Sequence, residues 1–261
     1  MNKASIDAIL ALTRARVESL RGSRRDLERR ASERPDPQAF RVGGSTVGVI
    51  AEVKRRSPSA GVIRADLDPV AYARAYEAGG AVAISVLTEE AHFGGSLADL
   101  ERVAGAVSLP VLRKDFVVDE LQLLEARAAG AAMVLLIVRA LRDPDLRRLA
   151  ERARGLGLAT LVEAHDRGEL ERALAVTPTA VGVNNRDLDT FVTDLRVAER
   201  LVPEIPSGVL AVAESGIESR GDVERAAAAG ADLVLVGGAV ARSDGPEAAV
   251  RGLCGVARRG R

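Results

Sequence analysis

The sequence is poor in cysteine and histidine, which limits the metal chemistry that it can support. Among its 261 residues, Cys254 is the single cysteine, and His92 and His165 are the two histidines. A disulfide framework, a zinc site built from cysteine and histidine, and most iron–sulfur chemistry are therefore excluded. A metal site would have to consist of carboxylates alone. We expect both histidines to be surface residues in loops and assign neither a role.

The sequence also lacks an excess of charge of either sign and a long hydrophobic run. Lys and Arg together number 37, as do Asp and Glu, so the broad basic field of a nucleic-acid-binding protein is missing. The apolar run at residues 133–138 is too short to cross a bilayer. Asp7 and Arg14 interrupt the apolar N-terminal stretch that could imitate a signal peptide. We expect a cytoplasmic protein with neither a nucleic-acid partner nor a membrane partner.

Lysine and aromatic residues are scarce, and both shortages are informative. Three of the 37 basic residues are lysines, namely Lys3, Lys54 and Lys114. Arginine supplies positive charge everywhere else, so an internal lysine is expected to provide a property that arginine lacks. With four Phe, two Tyr and no Trp, the core must be filled by Val, Leu, Ile and Ala.

Short apolar runs alternate with stretches of helical spacing along most of the chain. The near-continuous apolar runs are typical of a parallel sheet buried on both faces. Eight such units in about 250 residues predict a (β/α)8 TIM barrel, an α/β fold. An open doubly wound sheet is the alternative, but the dinucleotide-binding glycine motif of that fold is missing. The predicted strands are 47–53, 81–87, 110–114, 132–138, 158–163, 180–184, 209–214 and 232–236, and the predicted helices include 70–78, 97–107, 120–129, 144–156 and 222–229.

We expect one barrel domain over residues 1–261, with the barrel at 47–257 and an N-terminal extension at 1–46. Residues 5–20 begin with a candidate N-cap, Ser5, and carry apolar residues on one face. They predict an additional amphipathic helix that covers the floor or the rim of the barrel. The charged segment 21–37 is interpreted as a solvated connection. Glycines at 79, 130, 157 and 230 are expected to end helices in the left-handed conformation.

Charged residues interrupt the apolar runs at the ends of alternate strands. Catalytic residues of TIM barrels lie at the carboxyl ends of strands, and alternate strands supply one interior layer of side chains. We therefore expect these five charges to converge in the barrel lumen. The alternatives are that each charge begins a solvated loop, or that together they form a buried structural network of ion pairs. The residues are Glu52 and Lys54 after the first strand, Lys114 after the third, Glu163 after the fifth and Glu214 after the seventh.

The choice of lysine within this set favours a chemical role over a structural one. Arginine forms the better fixed ion pair, whereas an amine can lose its proton. Lys54 and Lys114, kept in an arginine-rich chain, therefore indicate proton transfer. A Schiff base is the rival use of such an amine.

Glycine-containing loops after the last two strands predict a phosphate site. The stretch ESGI at 214–217 includes Ser215 and Gly216, and VGG at 236–238 includes Gly237 and Gly238. Barrels commonly bind phosphate at these two loops through backbone N–H groups. Ser57, in the loop after the first strand, could add its hydroxyl.

Phe93 and Phe116 lie in or beside the loops after strands two and three, on the same face as the lysines. They are either core or lid residues, or the walls of a site for a planar apolar ring.

These residues occur within a set of longer motifs that spans about 47–242. The sequence resembles the indole-3-glycerol-phosphate synthase family of tryptophan biosynthesis. The motifs that carry the resemblance are IAEVKRRSPSAG at 50, ISVLTEEAHFGGSLADL at 84, LPVLRKDFVVDELQ at 109, LVEAHDRGEL at 161, VGVNNRDLDTF at 181 and AESGI at 213.

The resemblance implies an enzyme that closes 1-(2-carboxyphenylamino)-1-deoxyribulose 5-phosphate into indole-3-glycerol phosphate, with loss of carbon dioxide and water. It implies no metal and no cofactor. Lys114 corresponds to the general acid, Glu163 to the general base, and Lys54 to a residue that contacts the ring carboxylate. Glu52, Asn184 and Glu214 would orient these groups and hold substrate hydroxyls. Ser57, Ser215, Gly216, Gly237 and Gly238 correspond to the phosphate site, and Phe93, Phe116, Leu136 and Leu188, with Arg186 nearby, to the pocket for the aromatic ring.

The sequence departs from the family pattern away from the acid and the base. Ala60, Leu121 and Ala132 replace a common lysine, tyrosine and aspartate, and GGAVAR at 237–242 replaces a pattern nearer GESLMR. An aldose–ketose isomerase and a non-catalytic phosphate-binding protein are the alternative functions. We expect a small phosphorylated substrate and a monomer or weak oligomer, and association with other tryptophan-pathway enzymes is left open.

Overall fold

Eight parallel strands close into a barrel in the computed structural model, which describes residues 5–40, 42–58, 60–187 and 190–260. Each strand pairs with its neighbours in the chain, and the eighth pairs with the first. This closure confirms the predicted (β/α)8 barrel over an open doubly wound sheet. The strands are β1 Gly48–Val53, β2 Ala83–Leu87, β3 Val111–Lys114, β4 Met133–Ile137, β5 Ala159–Ala164, β6 Ala180–Asn184, β7 Leu210–Glu214 and β8 Leu233–Val236.

Helices follow every strand and cover the outside of the barrel. Most begin at an Asp or Ser whose side chain accepts a hydrogen bond from the first turn, as at Asp68, Ser96 and Ser219. A short antiparallel hairpin, Arg56–Ser57 with Gly61–Val62, lies in the loop after β1. The helices are α1 Ile6–Leu20, α2 Arg24–Glu33, α3 Pro69–Ala78, α4 Leu97–Ala104, α5 Glu120–Ala128, α6 Asp143–Gly155, α7 Arg167–Leu174, α8 Arg196–Leu201, α9 Arg220–Ala228, α10 Gly238–Arg242 and α11 Pro246–Leu253.

Alternate residues of each strand pack on opposite sides of the barrel wall. In β4, Leu135 and Ile137 belong to the cluster inside the barrel, whereas Val134 and Leu136 belong to the layer between strands and helices. The prediction that Leu136 lines the substrate pocket is therefore wrong. Ile137 pairs in register with Glu163 of β5, so the side chain that shares the lumen with the base is one position further along.

The N-terminal helix α1 lies at the rim of the barrel, where the carboxyl ends of the strands are. Its Arg16 forms an ion pair of 2.5 Å with Glu125 of α5, and Val17 packs in one cluster with Leu121 and Leu124. Ser5 caps the helix as predicted. Of the two positions that the sequence left open, the structure selects the rim for α1.

The charged segment after α1 is a docked helix, so its interpretation as a solvated connection is wrong. Within α2, Leu27 and Ala31 are buried in the cluster formed with α5. The remaining faces carry ion pairs four residues apart, such as Arg24 with Glu28 at 2.9 Å. Two apolar residues one turn apart are enough to dock this helix, and the charges around them obscured that signal.

The left-handed glycines follow the helices at three of the four predicted positions. Gly130, Gly157 and Gly230 have φ values of 89°, 73° and 95°. Gly79 has an ordinary φ of −74°, and the left-handed residue is its neighbour Gly80, at 96°. Either glycine would suit this turn by sequence, so the pattern could not distinguish them.

Candidate active site

A pocket opens at the carboxyl ends of the strands and receives nearly all of the predicted site residues. Its empty volume, including the open mouth, is about 1140 Å³. Leu136 faces the helices instead, and Leu188 lies outside the described residues. The predicted residues that line the pocket are Glu52, Lys54, Ser57, Phe93, Lys114, Phe116, Glu163, Asn184, Arg186, Glu214, Ser215, Gly216, Gly237 and Gly238.

The five charged side chains converge as expected. The Nζ atom of Lys114 lies 3.3 Å from Glu163 Oε2 and 3.4 Å from Glu214 Oε2. The Nζ atom of Lys54 lies 2.5 Å from Glu52 Oε1. The three carboxylates are almost fully buried, whereas both amines keep a partly exposed surface in the pocket. A bound molecule can therefore reach the amines while the carboxylates hold them from below.

Lys114 is held in its charged form by this arrangement. Burial lowers the pKa of Lys114, but the carboxylates of Glu163, Glu214 and Glu52 outweigh burial and raise the pKa above its ordinary value. An amine that attacks a carbonyl to form a Schiff base must first lose its proton. The geometry therefore favours proton donation by Lys114 over the rival Schiff-base role.

The carboxylates divide into two that are ionised and one that keeps its proton. Burial would raise the pKa of Glu163, but Lys114, His165 and a hydrogen bond with Asn184 lower it. Burial acts likewise on Glu52, and Lys54 and Lys114 lower its pKa. Burial and the nearby carboxylates instead raise the pKa of Glu214 to about 8, against the pull of Lys114. At neutral pH the site thus contains an ionised Glu163 beside a protonated Glu214.

Two glycines leave the space into which the carboxylates fold. A Cβ atom at Gly182 of β6 would lie 1.9 Å from Glu214 Oε1. A Cβ atom at Gly237 would lie 2.3 Å from Glu52 Oε1 and 2.8 Å from Lys54 Nζ. Gly182 was missed by the sequence analysis, although a glycine inside a strand is a recognised sign of close approach.

The loops after β7 and β8, at one side of the pocket, have the features of an anion site. Ser215 and Gly216 adopt left-handed conformations, with φ of 65° and 78°, which turns the chain sharply after β7. Gly238 begins the short helix α10, whose first turn leaves N–H groups without intrahelical partners. Arg242, at the end of α10, also lines the pocket and pairs with Glu218 at 3.3 Å. Arg242 is not among the site residues predicted from the sequence.

Aromatic and aliphatic side chains form one wall of the pocket. The rings of Phe93 and Phe116 are 6.2 Å apart between centroids and tilted by 42°. Leu135 and Ile137 of β4 continue the apolar surface into the lumen. A planar apolar group can pack against this wall while a charged group occupies the opposite end.

His165 is buried beside the site, so the expectation that both histidines are surface residues is wrong for this one. Its side chain is 4% exposed, and its Nε2 atom lies 3.5 Å from Glu163 Oε1. His165 comes directly after β5, two positions beyond Glu163. Residues two apart on a strand point to the same side, a signal that the sequence did contain.

In the described ranges, 5–40, 42–58, 60–187 and 190–260, no group of three or more His, Cys, Asp or Glu residues could hold a metal ion. No helix in them is long and apolar enough to cross a membrane.

A family model described as "Indole-3-glycerol phosphate synthase" matches residues 6–253 of the chain. A Nocardioides protein of that name is 55% identical over 217 residues, covering 83% of each chain. A Koribacter versatilis protein of that name is 45% identical over 259 residues, covering 97% of this chain and 99% of its own.

Among solved structures, thiamine phosphate pyrophosphorylase from Pyrococcus furiosus matches with a TM-score of 0.60 at 17% identity. It covers 79% of this chain and 93% of its own. This likeness supports the barrel fold alone. The family model and the two relatives show that the chain belongs to the indole-3-glycerol phosphate synthase family.

Proposed function

We propose that this chain closes 1-(2-carboxyphenylamino)-1-deoxyribulose 5-phosphate into indole-3-glycerol phosphate, with release of carbon dioxide and water. The observation that carries the proposal is the position of Lys114, held between Glu163 and Glu214 at 3.3 and 3.4 Å. Ring closure requires an acid and dehydration requires a base, and the site provides a charged Lys114 beside an ionised Glu163. Membership of the family supplies the substrate class.

The two ends of the pocket suit the two ends of this substrate. The phosphate is assigned to Ser57, Ser215, Gly216, Gly237 and Gly238, through backbone N–H groups and the serine hydroxyls. Arg242 adds a guanidinium at the same end of the pocket. Arg242 ends the GGAVAR loop as an arginine ends the family pattern nearer GESLMR, so this charge is kept although the side chains before it differ.

The aromatic ring of the substrate is assigned to the apolar wall. Phe93 and Phe116, together with Leu135 and Ile137, form a surface that matches a planar ring. Arg186 lies beside the Glu52 end of the pocket, where burial lowers its pKa against the attraction of Glu52. With Lys54, it provides positive charge for the ring carboxylate before that group leaves as carbon dioxide. Leu188 remains a predicted wall residue outside the described part of the chain.

Lys114 is the general acid of ring closure in this proposal. The ring carbon that bears the carboxylate attacks the ketose carbonyl, and the carbonyl oxygen takes a proton from the Lys114 ammonium. The raised pKa of Lys114 keeps that proton present before attack. Transfer becomes favourable as alkoxide character develops on the oxygen, because an alkoxide is a stronger base than an amine. Loss of carbon dioxide then restores the aromatic ring.

Glu163 is the general base of the dehydration that follows. Its lowered pKa keeps the carboxylate ionised and able to accept a proton from the ring-closed intermediate. Lys54 donates a proton to the departing hydroxyl, which leaves as water. Glu52 holds Lys54 through the 2.5 Å ion pair, Asn184 orients Glu163, and the protonated Glu214 donates a hydrogen bond to a substrate hydroxyl.

The test is to incubate the purified protein with the carboxyphenylamino-deoxyribulose phosphate and to follow indole fluorescence and carbon dioxide together. We expect both signals to rise in equal amounts. In Glu163→Gln, carbon dioxide should still form while indole fluorescence lags, because ring closure precedes the step that needs the base. Substrate consumption without carbon dioxide would indicate an isomerase, and binding without turnover a non-catalytic protein; either result would refute the proposal.

A further inference from the structure

A chain of charged and polar side chains runs from Glu163 away from the pocket, through His165. The Nδ1 atom of His165 lies 2.9 Å from Glu169 Oε2, and its Nε2 atom lies 3.5 Å from Glu163 Oε1. Glu169, on α7, also accepts a hydrogen bond from Arg139 Nε at 2.8 Å. One imidazole thus separates the base from a second carboxylate, which does not line the pocket.

Glu169 fixes both the orientation and the tautomer of this imidazole. Its Oε2 accepts the backbone N–H of His165 at 2.8 Å as well as the contact from Nδ1. Burial would raise the pKa of Glu169, but the bonds from His165 and Arg139 lower it to about 2. An ionised carboxylate can only accept hydrogen bonds, so Nδ1 must carry a proton.

The remaining nitrogen then determines how His165 acts on Glu163. If His165 is neutral, its Nε2 presents a lone pair to the carboxylate of Glu163, and the two acceptors repel. If His165 is an imidazolium, its Nε2 presents an N–H and a positive charge. In the free protein Nε2 has no hydrogen-bond partner among the described residues. Its interaction with Glu163 Oε1, 3.5 Å away, is therefore electrostatic.

We propose that His165 is a positioning residue for Glu163: anchored by Glu169 and charged at Nε2, it keeps the carboxylate of the base ionised and directed into the pocket. The inference rests on the role of Glu163 in the proposed function. His165 touches neither the pocket nor the reacting atoms, so it acts through Glu163 alone.

The charges around His165 favour the imidazolium. Burial lowers the pKa of His165, but Glu169 and Glu163 outweigh burial and raise it, against a smaller opposing effect of Arg139. Arg139 in turn lies 3.8 Å from Asp187, which offsets part of its charge. On the other side of Glu163, Lys114 is the nearest cation, and Glu214 shares Lys114 with the base.

The first experiment measures the protonation of His165 directly and needs no turnover. The chain contains two histidines, so protein labelled with ¹⁵N-histidine gives two sets of ring signals, and the variant His92→Gln assigns them. We expect His165 to titrate above free histidine, with Nε2 as the nitrogen that loses its proton. Glu163→Gln and Glu169→Gln should each lower its midpoint, because each removes a negative partner. An unchanged midpoint in Glu163→Gln would overturn the inference.

The second experiment follows kcat/KM of indole-3-glycerol phosphate formation against pH in His165→Gln. Glutamine keeps a hydrogen-bonding side chain but carries no charge. We expect the acid limb of the profile to move to higher pH, because Glu163 loses the cation that lowers its pKa. Well above that limb, kcat should return towards the value of the unmodified chain. A uniform loss at every pH, with an unmoved limb, would mean that His165 is merely structural and would overturn the inference.

His92 provides the matched control. It pairs with Glu89 through Nδ1 at 2.9 Å, as His165 pairs with Glu169, but it does not line the pocket. His92→Gln should leave the acid limb where it is, and a limb that moves in this variant would contradict the inference. If the His165 variant fails to fold, Glu169→Gln is measured instead. Its acid limb is likewise expected to move to higher pH. If the unmodified chain forms no indole-3-glycerol phosphate, the proposed function is refuted, whereas the histidine titration still decides whether the charge of Glu163 acts on His165.

Discussion

Two adjacent residues of β3, Arg113 and Lys114, enter two ion clusters on opposite sides of the barrel wall. Arg113 is fully buried behind the strand and binds Asp115 at 2.8 Å and Glu125 at 2.9 Å. It also donates to the carbonyl oxygen of Gln122 at 2.7 Å. Lys114 faces the lumen and approaches its two carboxylates to 3.3 and 3.4 Å, with part of its surface in the pocket.

The difference between the clusters lies in whether a bound molecule can reach the cation. Arg113 is fully buried and is fixed by short bonds from its planar guanidinium. In the Lys114 cluster the ion pairs are long, and the buried oxygens of Glu214 accept no hydrogen bond from the described residues. Buried polar groups that are paired contribute to structure, whereas buried groups that are under-paired at a pocket indicate a site prepared for another molecule.

Exchanging the amine for a guanidinium is the most severe test of this contrast. Lys114→Arg keeps the positive charge but removes the group that donates the proton, so we expect turnover to fall by about 10²–10⁴-fold. Indole fluorescence measures the loss, and circular dichroism should show an unchanged fold. Near-normal turnover in this variant would remove Lys114 from its catalytic role.

Breaking the other cluster should affect folding instead. Arg113→Met leaves Asp115 buried without its cation and Glu125 with Arg16 alone. Removing one partner of a buried pair costs about 3–5 kcal/mol of the free energy of unfolding. Urea denaturation gives the loss. A variant as stable as the unmodified chain would show that the Arg113 cluster is not structural.

A smaller effect is expected from filling the space beside Glu214. Gly182→Ala adds a Cβ atom 1.9 Å from Glu214 Oε1, so the carboxyl must move and Lys114 with it. A displacement of about 1 Å at a catalytic group can reduce turnover by about 10²-fold. Steady-state kinetics measure the reduction, and Gly168→Ala in α7, where only Asp166 Oδ1 comes within 4 Å, is the control. Equal turnover in both variants would contradict the assigned packing.

The last test concerns the pH dependence of stability. The pKa of Glu214 is raised to about 8 in the folded chain. The protonated carboxyl therefore stabilises the fold fully below the ordinary glutamate pKa, and this stabilisation is lost as the pH rises through about 8. Glu214→Gln abolishes that loss. Relative to the unmodified chain, the variant should therefore gain stability between pH 5 and pH 9 in urea denaturation. A constant difference over this range would contradict the protonated state of Glu214.

Much of the fold was predictable because each buried strand is a short apolar run between two helical stretches. The convergence of Lys54, Lys114 and Glu163 was predictable for the same reason, since charges that end buried strands of a barrel must meet. These inferences depend on order along the chain and on the closure of the sheet, and both are visible in the sequence.

Three features were not predicted, each for its own physical reason. Leu136 and Leu135 are both leucines, and which of them faces the lumen depends on the pairing of β4 with β5. The helix α2 docks through Leu27 and Ala31, a signal that its many charges concealed. The side chain of His165 is buried against Glu169 of α7. That contact depends on how α7 follows β5.

The ion pair between Arg16 and Glu125 joins residues that are 109 positions apart in the chain. During synthesis, α1 therefore leaves the ribosome long before its partner on α5 exists. Until then Val17 lacks Leu121 and Leu124, two members of the cluster in which it is buried in the finished protein. Every nascent copy therefore passes through an interval in which this part of α1 is open to chaperones or to aggregation, and the interval ends only when about half of the polypeptide has been made.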